Sequence, residues 1–285
     1  MSETRPEIMN SHGATCAIYR DAPVWDNKRT AAIGNFSCDS AGAGSELLQS
    51  AVRTLSTQGF NAVIGPMDGD TWHKYRVISE SDNSAPYFLE PVSGAFDFAA
   101  FNGAGFKPIS SYVSARAKAE DAIGAPAPAI PGVTISAWDG KNADALTGGM
   151  FDLSRTAFTG NAFYKPIERE DFLKLYQPIL PAIDPRLVLF ARAGGTLVGY
   201  LFAIPDRLQG PKPSTAIIKT YASGVRGAGH MLLDVAHRTI RDLGYSDVIH
   251  ALMHVDNPSR ERSARHRGTV FRRYDLMGLN LEKRR

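Results

Sequence analysis

The feature that most constrains this chain is a repeat. Residues 41–51 read AGAGSELLQSA, and residues 226–236 read RGAGHMLLDVA. Without a gap, 52–64 (VRTLSTQGFNAVI) then falls on 237–249 (HRTIRDLGYSDVI) at the same offset of 185. Of these 24 positions 11 are identical: Gly42, Ala43, Gly44, Leu47, Leu48, Ala51, Arg53, Thr54, Gly59, Val63 and Ile64 each recur 185 residues later. The offset also lays Thr30-Ala31-Ala32-Ile33 onto Thr215-Ala216-Ile217-Ile218. Self-similarity of this kind marks one structural unit used twice, and 285 residues give room for two such domains.

Each copy reads as strand, strand, glycine loop, helix, strand, which is an α/β unit with a βαβ crossover. In the second copy, 197–204 (LVGYLFAI) and 215–222 (TAIIKTYA) are β-rich runs bounded by Gly and Pro. Between Gly229 and Leu243, the residues Leu232, Leu233, Ala236, Ile240 and Leu243 share one helical face, and Gly244 ends the helix. Residues 248–255 (VIHALMHV) are a further strand. Upstream, this copy has a strand at 133–137, helices within 142–155 and 168–180, and a hairpin of 187–193 and 196–204. The first copy starts almost at its equivalent of the last hairpin strand and is therefore truncated. The implied boundaries are a loose polar leader at 1–13, a first domain at 14–123, a Pro/Ala linker at 124–132 (GAPAPAIPG) and a complete domain at 133–285.

Charge and composition narrow the partners. A net charge of +3 with 44% apolar residues describes globular halves with cores of their own and no nucleic-acid partner. Arg272, Arg273, Lys283, Arg284 and Arg285 make a basic C-terminal tail suited to an anionic ligand. No apolar run reaches the roughly 18 residues of a bilayer span, so no membrane partner is expected. Cys16 and Cys38 are the only cysteines, and no apolar leader precedes them, which predicts a cytoplasmic chain. Nothing in the sequence specifies an oligomeric state.

Residues 225–229 (VRGAG) leave a strand and open a helix. Glycines let a ligand approach the backbone, and the unpaired N–H groups of a helix start attract pyrophosphate. By itself such a turn serves equally well as a tight strand-to-helix connection. The residues of this run resemble the acyl-CoA pyrophosphate loop of the GNAT superfamily, Arg/Gln-x-x-Gly-x-Gly/Ala. Arg226 and Gly229 match that pattern, and Met231 stands where a small residue is usual. The order hairpin, strand, loop, helix, strand and then Asp256-Asn257-Pro258-Ser259 resembles the superfamily well over 133–285 and more weakly over 15–115.

The resemblance implies tandem GNAT-like domains, each a mixed, mostly antiparallel sheet flanked by helices, with a degenerate N-terminal copy. It implies acetyl-CoA or another acyl-CoA as co-substrate and no metal. The backbone of Thr220, Tyr221 and Ala222 would then orient the thioester. Val225, Arg226, Gly227, Ala228, Gly229 and His230 would hold the pyrophosphate, and Asn257 the pantetheine arm. In the first copy Ala41 replaces the loop arginine, and Asp39 and Glu46 bring negative charge. Only the second copy is therefore expected to hold acyl-CoA.

Acyl transfer to an amine needs a neutral amine and a proton source near the leaving thiolate. The resemblance implies a Tyr acid shortly before Gly268, but Ala264 holds that place; Ser263, His266 and Tyr274 are the nearby substitutes. Tyr274 also reads as a packed strand aromatic. For a base, His250 and His254 alternate with Ala251 and Met253, which predicts both on one strand face. His254, nearer the strand's C-terminal end, is preferred, against the reading of both as satisfied core histidines. His230, Asp234 and His237 have a metal-ligand spacing, but read as a solvated helix face.

The densest polar run in the first copy is 65–76 (GPMDGDTWHKYR), which follows a strand, and 86–91 (PYFLEP) forms a second wall. One reading makes Asp68, Asp70, Trp72, His73, Tyr75, Arg76 and Glu90 an acceptor site in which the carboxylates hold a cationic amine. The other packs Trp72 and Tyr75 between the copies and leaves the charges solvated. The function expected from the whole is acyl-CoA-dependent transfer of an acetyl group to the primary amine of a small metabolite, by direct attack in a ternary complex. A non-catalytic acyl-CoA-binding or regulatory protein, a protein or peptide amine as acceptor, and a carrier-linked donor are the alternatives.

Overall fold

The computed structural model describes residues 5–281. Lys283, Arg284 and Arg285 of the basic tail lie outside the described residues. The first half of the chain forms β1 (Glu7–Ser11), β2 (Ala14–Tyr19), β3 (Thr30–Cys38), α1 (Ala41–Thr57), β4 (Ala62–Gly65), β5 (Val77–Ser81), α2 (Asp97–Gly103) and β6 (Lys107–Lys118). The second half forms β7 (Val133–Ala137), α3 (Ala143–Phe158), α4 (Arg169–Tyr176), β8 (Val188–Ala193), β9 (Thr196–Pro205), β10 (Thr215–Ser223), α5 (Ala228–Asp242), β11 (Asp247–His254), α6 (Pro258–Arg265) and β12 (Thr269–Asn280).

All the strands join one sheet in the order β1-β2-β3-β4-β12-β6-β11-β10-β9-β8-β7, with β5 added beside β12. Two of its pairings are parallel, β3 with β4 and β10 with β11, and each flanks a crossover helix. The others are antiparallel, as expected of a mixed sheet. The repeat holds in register as well as in sequence. Thr30 lies opposite Ala62 and Ala32 opposite Ile64; 185 residues on, Thr215 lies opposite Asp247 and Ile217 opposite Ile249.

The two copies close each other's sheets. β12, the last strand of the second copy, pairs with β4 of the first, and β6, the last strand of the first copy, pairs with β11 of the second. Between them β6 and β12 run antiparallel, with Tyr112 opposite Tyr274. The order therefore reads outward on either side from this central pair.

Side-chain alternation along the strands builds the layers. Ala216, Ile218, Leu201, Ala203 and Val248 face α5 through Leu232, Leu233, Ala236 and Ile240. The intervening Ile217, Ile249, Phe202 and Ile204 face the opposite way, onto Met150 and Phe151 of α3 and Phe172 of α4. Gly244, with φ of 86°, ends the α5 segment as the sequence indicates. α4 is shorter than expected: Pro178 and Pro181 lack the N–H that an α-helix needs, and the chain tightens into a 3-10 helix over Gln177–Ala182.

One expectation fails at the N-terminus. Residues 7–11, expected within a loose leader, form β1 and pair with β2 from Glu7–Ile18 to Ser11–Ala14. This is an edge strand with mostly exposed side chains, so backbone bonds hold it and no apolar alternation announces it. The first copy thus includes the hairpin, and among the described residues it has no counterpart of β7, α3 and α4. Among the described residues no helix is long and apolar enough to cross a membrane.

Candidate functional site

The parallel pair β10 and β11 comes apart. Its ladder ends at Ile218 and His250, yet β10 continues to Ser223 against β9, and β11 continues to His254 against β6. Each strand has a bulge at the parting point. Lys219 is the extra residue of β10 between the pairs Ile218–Ala203 and Thr220–Phe202. Residues 251 and 252 lie between the β11 pairs His250–Ala115 and Met253–Val113, one more than β6 supplies. A wedge therefore opens between Thr220–Ala222 on one side and Leu252–Met253 on the other.

At the mouth of the wedge the chain leaves β10 and turns into α5. Gly227 occupies the N-cap with φ of 91°, a left-handed conformation that residues with a Cβ resist. Arg226 and Gly227 are exposed, and the first turn of α5 presents its amides beside them. A second cation, absent from the sequence reading, joins this place. Arg262 of α6 donates from Nε to His230 Nε2 at 3.2 Å and from Nη1 to the Tyr221 hydroxyl at 3.3 Å. His230 titrates below its ordinary value because of partial burial and then the positive charge of Arg262 and Arg265. Arg262 and Arg265 thus stand beside the first turn of α5, which follows exposed Arg226 in the chain, a setting that suits a polyanion. Asn257 lies at the N-cap of α6, where its side chain accepts from Ser259 N at 2.9 Å.

Among the described residues the first copy has no such wedge. After β4 the chain folds back onto β3: Met67 N donates to Ile33 O at 2.9 Å, and Asn35 N donates to Asp68 Oδ1 at 2.6 Å. Gly34 permits this closure, since a Cβ there would lie 2.3 Å from Asp68 Oδ1 and 2.4 Å from Met67 O. The residue 185 positions on is Lys219.

This architecture has solved counterparts. The chain is similar to a GCN5-related N-acetyltransferase from Sphaerobacter thermophilus, with a TM-score of 0.55 and 14% identity over 95% of this chain and 77% of that one. A tandem GNAT protein from the clavulanic acid biosynthesis pathway gives 0.55 and 15% over 96% and 80%. The fold is tandem GNAT. A probable N-acyltransferase from Enterococcus faecalis V583 gives 0.54 and 11% over 95% of this chain and 59% of that one. No protein-family model matches the sequence, and no curated protein does. At identities this low the likeness carries the GNAT fold and leaves the chemistry to the residues.

Within the GNAT fold the two strand histidines part company. The extra residue at 251–252 reverses side-chain parity, so His250 and His254 lie on opposite faces rather than on one. His250 turns toward α5 and α6 in a chain of hydrogen bonds that fixes each tautomer. Ser263 Oγ donates to His250 Nδ1 at 2.6 Å, His250 Nε2 to His237 Nε2 at 2.9 Å, and His237 Nδ1 to Leu233 O at 2.7 Å. His266 stacks on His237 at 4.1 Å between ring centroids and bonds the carbonyl of Ala122. Burial pushes His250 well below the ordinary histidine value and His237 down to about 4. The face of α5 read as solvated thus carries a buried His237, because that helix packs on the sheet there. His254 is half-buried on the other face, beside the Tyr112 ring at 5.0 Å and with Nε2 3.2 Å from Ser110 Oγ.

The polar cluster of the first copy meets the GNAT wedge only in part. Trp72 packs edge-on against Tyr164 and Phe172 and donates to Lys165 O, which makes it an interface residue. Asp70 accepts from the amides of Trp72 and His73 and contacts the His73 ring, so it folds its own loop. Glu90 forms a buried ion pair with Arg272 at 2.6 Å, accepts from the Tyr274 hydroxyl, and takes the Tyr87 amide at 3.2 Å. Tyr274 is wholly buried, and its hydroxyl also meets Tyr87 and Ser114. Burial, with the anionic surroundings, raises it far above the ordinary phenol value. The 86–91 run reaches the second copy: Phe88 N donates to buried Asp206 at 2.9 Å, and Lys219 Nζ donates to Leu89 O at 3.1 Å. Tyr75 and Arg76 stand together, the Arg76 guanidinium 3.6 Å from the Tyr75 ring and 3.7 Å from that of Tyr112. Lys219 is the member that sequence reading missed; it lies inside an apolar strand run, and only the bulge turns it out.

Proposed function

We propose that this chain is an acyl-CoA-dependent N-acyltransferase that carries an acetyl group from acetyl-CoA to the primary amine of a small molecule. The observation that supports it is the wedge between β10 and β11, open in the second unit beside Arg226, Arg262 and the start of α5, and closed in the first. In this reading 133–285 holds the donor, 14–123 supplies a wall of the acceptor site, and 124–132 tethers them. The pyrophosphate lies on the amides of 226–230, the pantetheine runs past Asn257 and Tyr221, and the backbone of 220–222 orients the thioester. The setting is cytoplasmic, consistent with two free thiols, and no metal takes part.

The amine nitrogen attacks the thioester carbonyl, the C–S bond breaks, and the CoA thiolate leaves and takes up a proton. His254 receives the amine proton, directly or through water, at Nδ1, once that nitrogen is released by the Asp256 amide that donates to it at 3.2 Å. That nitrogen lies 3.8 Å from Asp256 Oδ2, so the imidazolium formed has a partner. Ser263 and Tyr274 act through their neighbours, holding His250 and Glu90. Calorimetric titration with CoA, acetyl-CoA and longer acyl-CoAs, on wild type and Arg226→Glu, tests the reading. Binding to wild type that is lost in Arg226→Glu supports it, and no binding by any of them refutes it. A second reading, acyl-CoA binding without turnover, draws on Tyr87, which is only 2% exposed and belongs to the same buried cluster as Ala222, Ile249 and Ala251. Thiol release against a panel of amines separates the two.

A further inference from the structure

Among the described residues two cations at the acceptor end of the wedge form no ion pair, although the charge of Glu90 reaches Lys219. Lys219 leaves the β10 ladder on the face away from α5, bonds Leu89 O, and stands 5.9 Å from the centre of the Tyr87 ring. Arg76 is held between the rings of Tyr75 and Tyr112 with φ of 83°, a conformation disfavoured for a residue with a Cβ. Its Nε is buried without a hydrogen-bond partner. Among the described residues no carboxylate pairs with either cation. The carboxylates nearby are committed elsewhere: Glu90 to Arg272, Asp68 to Asn35 N, and Asp206 to Phe88 N and Leu208 N. Burial, then the charge of Arg76, brings Lys219 down to about 8, and burial brings Arg76 down to about 10. Like charges held near one another at a half-buried place destabilise a fold unless something anionic joins them, and Glu90, committed to Arg272, offsets this only in part. Strain, a shielded donor and mutual repulsion at one place mark a site held ready for a ligand.

We propose that Arg76 and Lys219 bind a carboxylate of the acceptor, which makes the acceptor an amine with its own carboxylate a few bonds away. This rests on the transferase reading for its meaning, and it replaces the expectation that Asp68, Asp70 and Glu90 hold a cationic amine. Lys219 adjoins Thr220, where that reading places the thioester, so an amino group a few bonds from the bound carboxylate reaches the wedge. Arg76 offers its planar fork to the carboxylate, and Lys219 adds a second charge.

The test is calorimetric titration of the full chain with N-acetylglycine, N-acetylglycinamide and phenyl phosphate, with and without saturating CoA. The acid is expected to bind at least about tenfold more tightly than the amide. Lys219→Met should remove that difference, Lys219→Arg should keep it within about threefold, and Arg76→Met should reduce it. Equal binding of acid and amide, or binding of neither, overturns the proposal, and tighter binding of phenyl phosphate overturns the carboxylate assignment. Failure of CoA to bind removes the transferase reading, while preference for the acid without CoA still upholds the anion site.

Discussion

Gly34 lies against the carbonyl of Met67, and Lys219, its counterpart 185 residues on, reaches the carbonyl of Leu89 in the other half of the sequence. The first contact closes a unit upon itself. The second ties one unit to its neighbour and leaves the strands parted. One residue with no side chain and one with a long cationic one thus distinguish two copies of the same crossover.

Gly34→Ala is expected to destabilise the protein by about 1–3 kcal/mol, because the new Cβ overlaps Met67 and Asp68 and the backbone must shift. Urea unfolding measures it. Acetyl-CoA affinity should not change, since the site proposed for it lies in the other unit.

Arg262→Ala removes a cation from the mouth of the wedge and the contact with Tyr221. Acetyl-CoA is expected to bind about tenfold more weakly, with a shallower dependence of affinity on salt. Unchanged calorimetric affinity would take Arg262 out of the donor site.

Glu90 and Arg272 are both nearly inaccessible, with side-chain exposures of 1% and 4%. Glu90→Ala leaves buried Arg272 with only the long 3.9 Å contact to exposed Asp82 and is expected to cost about 3 kcal/mol. The double variant Glu90→Leu with Arg272→Met should be less destabilised than Glu90→Ala alone, because no buried charge is stranded. Chemical denaturation of the variants decides it.

His237 titrates near 6.5 when unfolded and at about 4 when folded, so the unfolded chain binds the extra proton first as pH falls. Its contribution is fully present above about pH 6.5 and is lost progressively toward pH 4, on the order of 3 kcal/mol in all. His250 shifts in the same direction and steepens the fall. Denaturation midpoints between pH 4 and 7 should therefore drop with acid, and His237→Gln should flatten the slope. A flat wild-type profile would mean that the histidine chain is protonated in the folded protein.

Local pattern made β10, α5 and β11 legible, because helical and alternating spacings survive wherever a face is buried, as Leu232, Leu233, Ala236 and Ile240 do. It did not show β1, whose edge position asks little of its side chains. It misjudged the histidine pair, because parity along a strand holds only between bulges and one lies at 251–252. Lys219 looked like one polar residue in an apolar run. Arg262 is 36 positions from Arg226 and joins it only through the packing of α6 on β11. The pairing of β6 with β11 left no mark on periodicity, since a strand reads the same whichever neighbour accepts it.

The crossing of β6 and β12 gives the chain the logic of a tethered dimer. Each half carries the strip that seals the other, so neither presents a finished sheet when alone. Cutting the backbone within 124–132 leaves two fragments with complementary open edges, at β4 and at β11, which favour each other over self-association. The connecting segment adds proximity, which holds the second edge near the first at high effective concentration and fixes a one-to-one stoichiometry, and it also packs on α5, where Ala127 N donates to Asp234 at 3.4 Å and Arg238 to Gly124 O at 3.1 Å.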